Sequence, residues 1–457
     1  MEKHFLSQSN DLTVGDHKKV LIDFAVPVFL SMLFQQLYNS VDSLIVGNFL
    51  GKESLAAVSS SGSLIFLFIS FFTGMSMGGG VVIARYFGEG KFDNVTKAIH
   101  SSVLLALISG IVLAVAGVAL SPQILVIMGT AENVLPESIA YFKWYFVGAP
   151  TVVMYNTFKG IMNALGDSKR PLIYLIISSL LNIALDLFFV GALRLGIAWA
   201  AIATTIAQAF SVILCLIHLT KKNRIYTLSF KNLRFDRKMT AETIRYGLPT
   251  GIQNSVIGFA NVMVQANINS FGDDAMAACG SYAKTEGFAF MPITSFSMAL
   301  TTFIGQNLGA GKKDRARQGA RFGILSGMIL AEIIGVIVFA FGPLFIAAYN
   351  RDPEVIRIGT MQARIESLFF FLLAFSHCVA AICRGAGKAF VPMTIMLSVW
   401  CVLRIIYITV AMHFCHDIRL LFVAYPLTWT ISSIIYLIYY KKSRWIDGFD
   451  LRSPAVK

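Results

Sequence analysis

The chain has 457 residues, 56% of them hydrophobic and 14% charged, where an ordinary soluble domain carries roughly 45–50% and about 25%. That balance excludes a water-soluble enzyme. The formal charge of +13, from 38 Lys+Arg against 25 Asp+Glu, would suggest nucleic acid in a soluble protein; in so apolar a chain it reads as membrane orientation.

Residues 1–19 are hydrophilic and run straight into a long apolar stretch, with no short apolar region followed by a small-residue cleavage site. They form a cytoplasmic N-terminal segment, and the first span directs its own insertion. Apolar runs then predict an all-α polytopic membrane protein with twelve transmembrane helices near 20–46, 55–83, 98–120, 138–163, 171–191, 196–219, 242–270, 275–304, 319–342, 357–383, 391–413 and 418–440. Span 1 contains Pro27, which removes a backbone hydrogen bond and makes a hinge, and Gln36, Tyr38, Asn39 and Asp42 further along. Span 5 carries Asn182 and, one turn later on the same face, Asp186; span 6 carries Thr204 and Thr205. The stretch 221–240 is a basic linker between an N-lobe (20–220) and a C-lobe (241–440). In the C-lobe, Glu286, Glu332 and Arg404 fall near mid-membrane, and 441–457 forms a second cytoplasmic segment. The six cysteines all lie in apolar stretches without metal-ligand spacing, so no metal cluster is expected.

With the N-terminus inside, 27 of the 38 Lys+Arg fall on cytoplasmic segments and 5 on outer loops. This fixes both termini in the cytoplasm by the positive-inside rule. The four Gly-Lys pairs lack the glycine and the hydroxyl residue of a phosphate-binding loop. Uphill transport would therefore draw on an ion gradient, and no cofactor is expected.

The halves repeat at an offset of 221 residues: Gly51, Gly88, Gly166 and Pro171 recur as Gly272, Gly309, Gly387 and Pro392. An even number of spans per half makes the repeats parallel, as two six-helix lobes of a secondary transporter. The offset places Met263 and Tyr407 where Asp42 and Asp186 stand, so the acidic chemistry belongs to one lobe.

A carboxylate in the hydrocarbon layer costs several kcal/mol unless neutralised or paired, and so marks function. By residue count Asp42, Asn182, Asp186 and Thr204 share one depth, about 6–14 Å below the outer surface. Two nearby carboxylates cannot both ionise cheaply, so a proton or another cation must join them. A proton suits the acid pair alone; sodium would want the hard oxygens of Asp42, Asn182, Asp186 and Thr204. Gln36, Tyr38, Asn39 and Glu286 are candidate substrate-cleft residues, while Glu286, Glu332 and Arg404 also suit a structural ion pair.

The run from Pro27 through Tyr38-Asn-Ser-Val-Asp42 to Gly47, with Ala84-Arg-Tyr-Phe-Gly88, resembles the multidrug and toxic compound extrusion (MATE) family. So do Gly166-Asp-Ser-Lys-Arg-Pro171, Asn182-x3-Asp186, Leu195 to Thr204 and Gly305 to Lys312. The resemblance implies a two-lobed antiporter exporting cationic or amphipathic molecules in exchange for protons or sodium. It assigns cation coupling to Asp42, Asn182, Asp186 and Thr204, and bending of span 1 to Pro27. Another branch uses a glutamate in span 7 and an aspartate in span 10. Here Gln253, Asn254 and Ser255 occupy the first region and Leu373 to Phe375 the second. Expected partners are small-molecule drugs or amphiphiles and membrane lipid, not nucleic acid, and the expected state is a monomer in the cytoplasmic membrane. A lipid or lipid-linked oligosaccharide flippase is the alternative.

Overall fold

The computed structural model describes residues 11–50, 52–127, 130, 134–221 and 226–448. Residues 1–10 of the N-terminal segment, Gly51, 222–225 of the basic linker and 449–457 of the C-terminal segment lie outside them. Among the described residues there is no strand.

Among the described residues fifteen α-helices follow in order: α1 (His17–Leu50), α2 (Lys52–Gly88), α3 (Phe92–Ile127), α4 (Leu135–Val147), α5 (Ala149–Ala164), α6 (Lys169–Asp186) and α7 (Ala198–Leu219). Then come α8 (Arg237–Asn269), α9 (Asp273–Gly309), α10 (Lys313–Ala347), α11 (Pro353–Glu366), α12 (Phe370–Gly385), α13 (Phe390–Met396), α14 (Arg404–Phe414) and α15 (Ile418–Lys442). They make the twelve expected spans because three crossings are each divided into two α-helices, while a fourth, α6, is extended by a π turn. α4 breaks at Gly148, one residue before α5 starts with Pro150 in its first turn, where a missing N–H costs nothing. α6 runs into a π-helical turn, Leu187–Ala192. α11 meets α12 through a 3₁₀ turn, Ser367–Phe369, and α13 meets α14 through a π segment, Leu397–Leu403. Ten crossings are long and apolar enough on those grounds alone. Of the other two, one is divided into pieces of 13 and 16 residues. The other, α8, carries Glu242, Arg245, Gln253, Asn254 and Gln265.

The described residues form two compact units, one built from 30–251 and one from 12–29 with 252 onward. α1 changes from the second unit to the first two residues after Pro27, and α8 changes from the first to the second two residues after Pro249. In the first unit Leu125, Tyr141, Phe142 and Phe146 close one core; in the second, Phe370, Trp400, Trp429 and Tyr436 close another. The repeat is written into the backbone. Gly90 and Gly311, then Gly166 and Gly387, hold positive φ of 69°, 72°, 83° and 74°. Each ends its helix with the same kind of bond: Lys91 N–H reaches Tyr86 O as Lys312 N–H reaches Asn307 O, and Asp167 N–H reaches Met162 O as Lys388 N–H reaches Cys383 O. This is the left-handed helix stop that glycine makes without strain.

Two family-like motifs have structural work at helix ends. In the first unit Arg85 Nε donates to Glu89 Oε1 at 2.9 Å and Tyr86 hydroxyl to Glu242 Oε1 at 3.2 Å, tying α2 to the start of α8. In the second unit Leu12 N–H donates to Gln306 Oε1 at 3.0 Å, Asn307 Nδ2 donates to Leu12 O at 3.1 Å, and Lys312 Nζ donates to Thr13 O at 2.8 Å. The run Gly305 to Lys312 is thus a receptor for the strap that precedes α1. Gln306→Leu takes away the acceptor of a buried backbone N–H, so we expect a loss of about 1–3 kcal/mol, read as a lower melting temperature of the detergent-purified protein.

Candidate functional site

The side chains of α6 and α7 are distributed opposite to those of a soluble amphipathic helix. On α6, Ile173, Ile177 and Leu180 are exposed, while Ser178, Ser179, Asn182 and Asp186 are buried. On α7, Ile206, Ile213 and Ile217 are exposed, while Ser211, Cys215 and His218 are buried. Apolar faces suit lipid, and the polar faces turn into the protein.

At one end of that polar face the four coupling candidates meet within the first unit. Asp186 is 0% and Asn182 1% exposed, and the carboxyls of Asp42 and Asp186 lie within hydrogen-bonding reach of each other. Turned to satisfy both of its atoms, the Asn182 amide donates from Nδ2 to Asp186 Oδ2 at 2.9 Å and accepts from Thr204 N–H at 3.1 Å. The opposite rotamer brings its Nδ2 to Thr204 Oγ1 at 3.4 Å. Thr204 Oγ1 itself donates to Ala200 O at 3.1 Å. Tyr38, buried, stands beside Thr204, and Tyr141 and Tyr145 lie close enough to Asp42 to feel its charge. Oδ1 of Asp42 and Oδ1 of Asp186 have no hydrogen-bond partner among the described residues. The π turn begins immediately after Asp186; such turns recur at functional sites because they leave the regular hydrogen-bond ladder open.

A carboxyl–carboxylate hydrogen bond requires one shared proton. A hard cation such as sodium would take two carboxylates and the Thr204 hydroxyl, with the Asn182 carbonyl joining only if the amide abandons Asp186. Among the described residues no group of three or more His, Cys, Asp or Glu side chains is arranged to hold a metal ion.

The remaining candidates separate. Tyr38 belongs with the acid pair, Gln36 is half-buried, and Asn39 is exposed on α1. Pro27 lies inside the continuous helix α1. In the second unit Arg404 turns to Thr428, with Nη2 donating to Oγ1 at 3.1 Å, and stacks over the Tyr425 ring at 4.4 Å. Among the described residues it makes no ion pair with Glu286 or Glu332, although Glu286 lies within reach of its charge. Glu332 keeps apart, beside the Phe371 backbone. Its place is taken by Glu366, 0% exposed, which accepts from Gln362 Nε2 at 2.9 Å and lies beside Tyr282. Glu366 is an acid inside span 10 that the sequence reading passed over. The rule that selected Asp42, an acid within an apolar run, would have found it.

The MatE family model matches residues 27–188 and again 249–410. The two matches start at Pro27 and Pro249 and are 222 apart at both ends, against 221 between the glycine motifs. Either register leaves an apolar residue, Met263 or Val264, opposite Asp42. The protein described as probable multidrug resistance protein YoeA of Bacillus subtilis is 28% identical over 432 residues, covering 92% of each chain. Probable multidrug resistance protein NorM of Thermotoga maritima is 27% identical over 398 residues, covering 85% of this chain and 84% of its own. A solved transporter of the MOP superfamily from Pyrococcus furiosus superposes with a TM-score of 0.90 at 20% identity, over 96% of this chain and 98% of that one. An outward-facing MATE family transporter gives 0.89 at 20% identity, over 95% and 97%. At that identity the solved structures show the fold.

Proposed function

Because the chain belongs to the MatE family, the multidrug and toxic compound extrusion transporters, we propose that it is a secondary active antiporter that exports cationic or amphipathic small molecules by alternating access in exchange for protons. It is a multi-pass protein of the plasma membrane with apolar helices of spanning length. The distribution of Lys and Arg supports both termini in the cytoplasm.

One observation carries the coupling: two carboxyls, Asp42 and Asp186, stand within hydrogen-bonding reach in a buried setting where Asn182 supplies only one donor. Ionised together they repel; with one proton between them the pair is stable. Loading a proton from outside therefore changes the charge and the hydrogen bonding at the end of α6 and on α1. A ligand that binds one conformation better shifts the population toward it. The driving force is sufficient, about 2.3 kcal/mol per charge per 100 mV and about 1.4 kcal/mol per pH unit. The oxygen set gives sodium less support than a proton, because the Asn182 carbonyl is occupied by Thr204 N–H.

The flippase alternative wants free cationic side chains for phosphate. In the second unit Arg404 is held by Thr428 and Tyr425, Lys284 lies 5.2 Å from the Tyr349 ring centre and Arg364 5.9 Å from that of Phe339. The test is ethidium transport by proteoliposomes with pH and sodium gradients imposed separately. We expect the pH gradient alone to drive ethidium accumulation. Transport driven by sodium alone would replace the coupling ion, and transport indifferent to both gradients would favour the flippase.

A further inference from the structure

The acid pair is the outer end of something longer. Three contacts fix one antiparallel register between α6, with the turn before it, and α7: Asn182 faces Thr204, Ser211 Oγ reaches Tyr174 O at 3.5 Å, and His218 Nε2 stands 3.8 Å from Asp167 Oδ2. That register puts Ser178 and Ser179 opposite Gln208. On the shared buried face, then, every turn carries a polar group: Asp186 with Asn182 and Thr204, Ser179 with Gln208, Ser211, Cys215, and finally His218 with Asp167. Thr204, Gln208, Ser211, Cys215 and His218 follow one another by four, three, four and three residues, a single stripe of an α-helix. At about 1.5 Å per residue the stripe from Thr204 to His218 spans roughly 21 Å.

Packing alone does not ask for this. A helix pair inside a membrane lobe is held by close apolar or small-residue contact, and a buried polar atom left without a partner is unfavourable. Here the Oγ of Ser179 and the Oε1 of Gln208 have none among the described residues, and neither do both amide atoms of Asn163 nor the Oγ of Ser168 beside the His218 end. Ser179, Asn163 and Ser168 are 8%, 5% and 1% exposed. Unpaired hydroxyl and amide atoms in file are what binds a chain of water, and water chains carry protons. The wall on the α5 side is Tyr155, whose hydroxyl donates to Pro171 O at 3.4 Å. At the far end His218 faces Asp167, which also pairs with Arg170, and the Tyr174 ring at 6.3 Å.

We infer that the α6–α7 interface is the route by which the proton held at Asp42 and Asp186 leaves for the cytoplasm, with Ser179 and Gln208 as the middle of the file and His218–Asp167 as its inner mouth. This rests on the proton-coupled reading above. Ser179, Gln208 and His218 are positioning residues for proton transfer; they do not touch the exported molecule.

The test uses the full chain in proteoliposomes, with ethidium as probe and an imposed pH gradient. Gln208→Leu breaks the file with little change of volume, and we expect initial rates to fall roughly tenfold or more while equilibrium ethidium binding in detergent is unchanged. Gln208→Glu restores an exchangeable, hydratable group and is expected to run within about threefold of the parent. Parent-like transport by Gln208→Leu overturns the route and leaves proton coupling standing. A loss shared by Gln208→Glu marks a packing role and also overturns it. If the parent protein ignores the pH gradient, the coupling itself fails and the route falls with it. Should Gln208→Leu not yield monodisperse protein, Ser179→Ala and His218→Gln are judged by the same rates.

Discussion

Asp42→Asn and Asp186→Asn are each expected to lower the rate of pH-gradient-driven ethidium transport by about a hundredfold, with the double variant no worse than either single one. Two carboxyls stand within hydrogen-bonding reach of each other in a largely buried site. An amide fills the same space and still hydrogen-bonds, but it takes up and releases no proton, so either replacement leaves a site whose charge state no gradient can change. Groups that act as one unit are not additive, because the first loss already removes the function. About a hundredfold corresponds to about 2.7 kcal/mol at 1.36 kcal/mol per tenfold. Stability should move the other way. Replacing one of two neighbouring buried acids removes a desolvation cost and the repulsion they feel when both ionise, so the melting temperature of Asp186→Asn is expected to equal or exceed that of the parent. Rate measured beside melting temperature separates this from misfolding: a variant that loses both has lost its fold, and the shared-proton account would then have no support from it.

The twelve crossings were legible because lipid imposes a simple demand, about 20 apolar residues between polar breaks. The lobe repeat was legible because glycine at positive φ leaves a mark that no other residue replaces cheaply, as at Gly90 and Gly311. Asp42, Asn182, Asp186 and Thr204 could be placed at one depth by counting residues, and the structure brings those four together. What composition could not carry is a local change of hydrogen-bond register. The π turn after Asp186, the 3₁₀ turn after Glu366 and the π segment ending at Arg404 have no sequence mark of their own, yet each sits against a buried charged side chain. Orientation within a span was equally hidden. Glu332 and Glu366 are both acids in apolar runs, but Glu366 is 0% exposed and bonded to Gln362, while Glu332 is only half-buried. Hence the expected cluster of Glu286, Glu332 and Arg404 is replaced by one of Glu286, Glu366 and Arg404, in which the arginine is shared with Thr428 and Tyr425.

Gly78→Ala is expected to destabilise the fold through backbone contact between α2 and α8. Gly74 and Gly78 face Gly251 and Gly247 on α8, two small-x3-small pairs that let the helix backbones touch. A Cβ at Gly78 would overlap the Gly247 backbone nitrogen and Cα and lie 2.7 Å from Thr243 O; one at Gly247 would lie 2.7 Å from Met75 O. Backbone cannot rotate aside as a side chain can, so relief requires the helices to part along both pairs. Overpacking of this kind costs about 1–3 kcal/mol at typical core sites, and two coupled contacts put Gly78→Ala at the upper end of that range. Gly80→Ala is the control, because there the nearest atoms are Gly160 O at 3.5 Å and the Ala164 Cβ at 3.9 Å, ordinary contact distances. With alanine the better helix former by about 1 kcal/mol, Gly80→Ala should be neutral or stabilising. Melting curves of the two variants in detergent decide the matter: equal losses would mean that glycine on α2 serves helix flexibility, whereas a loss confined to Gly78→Ala assigns it to backbone contact with α8.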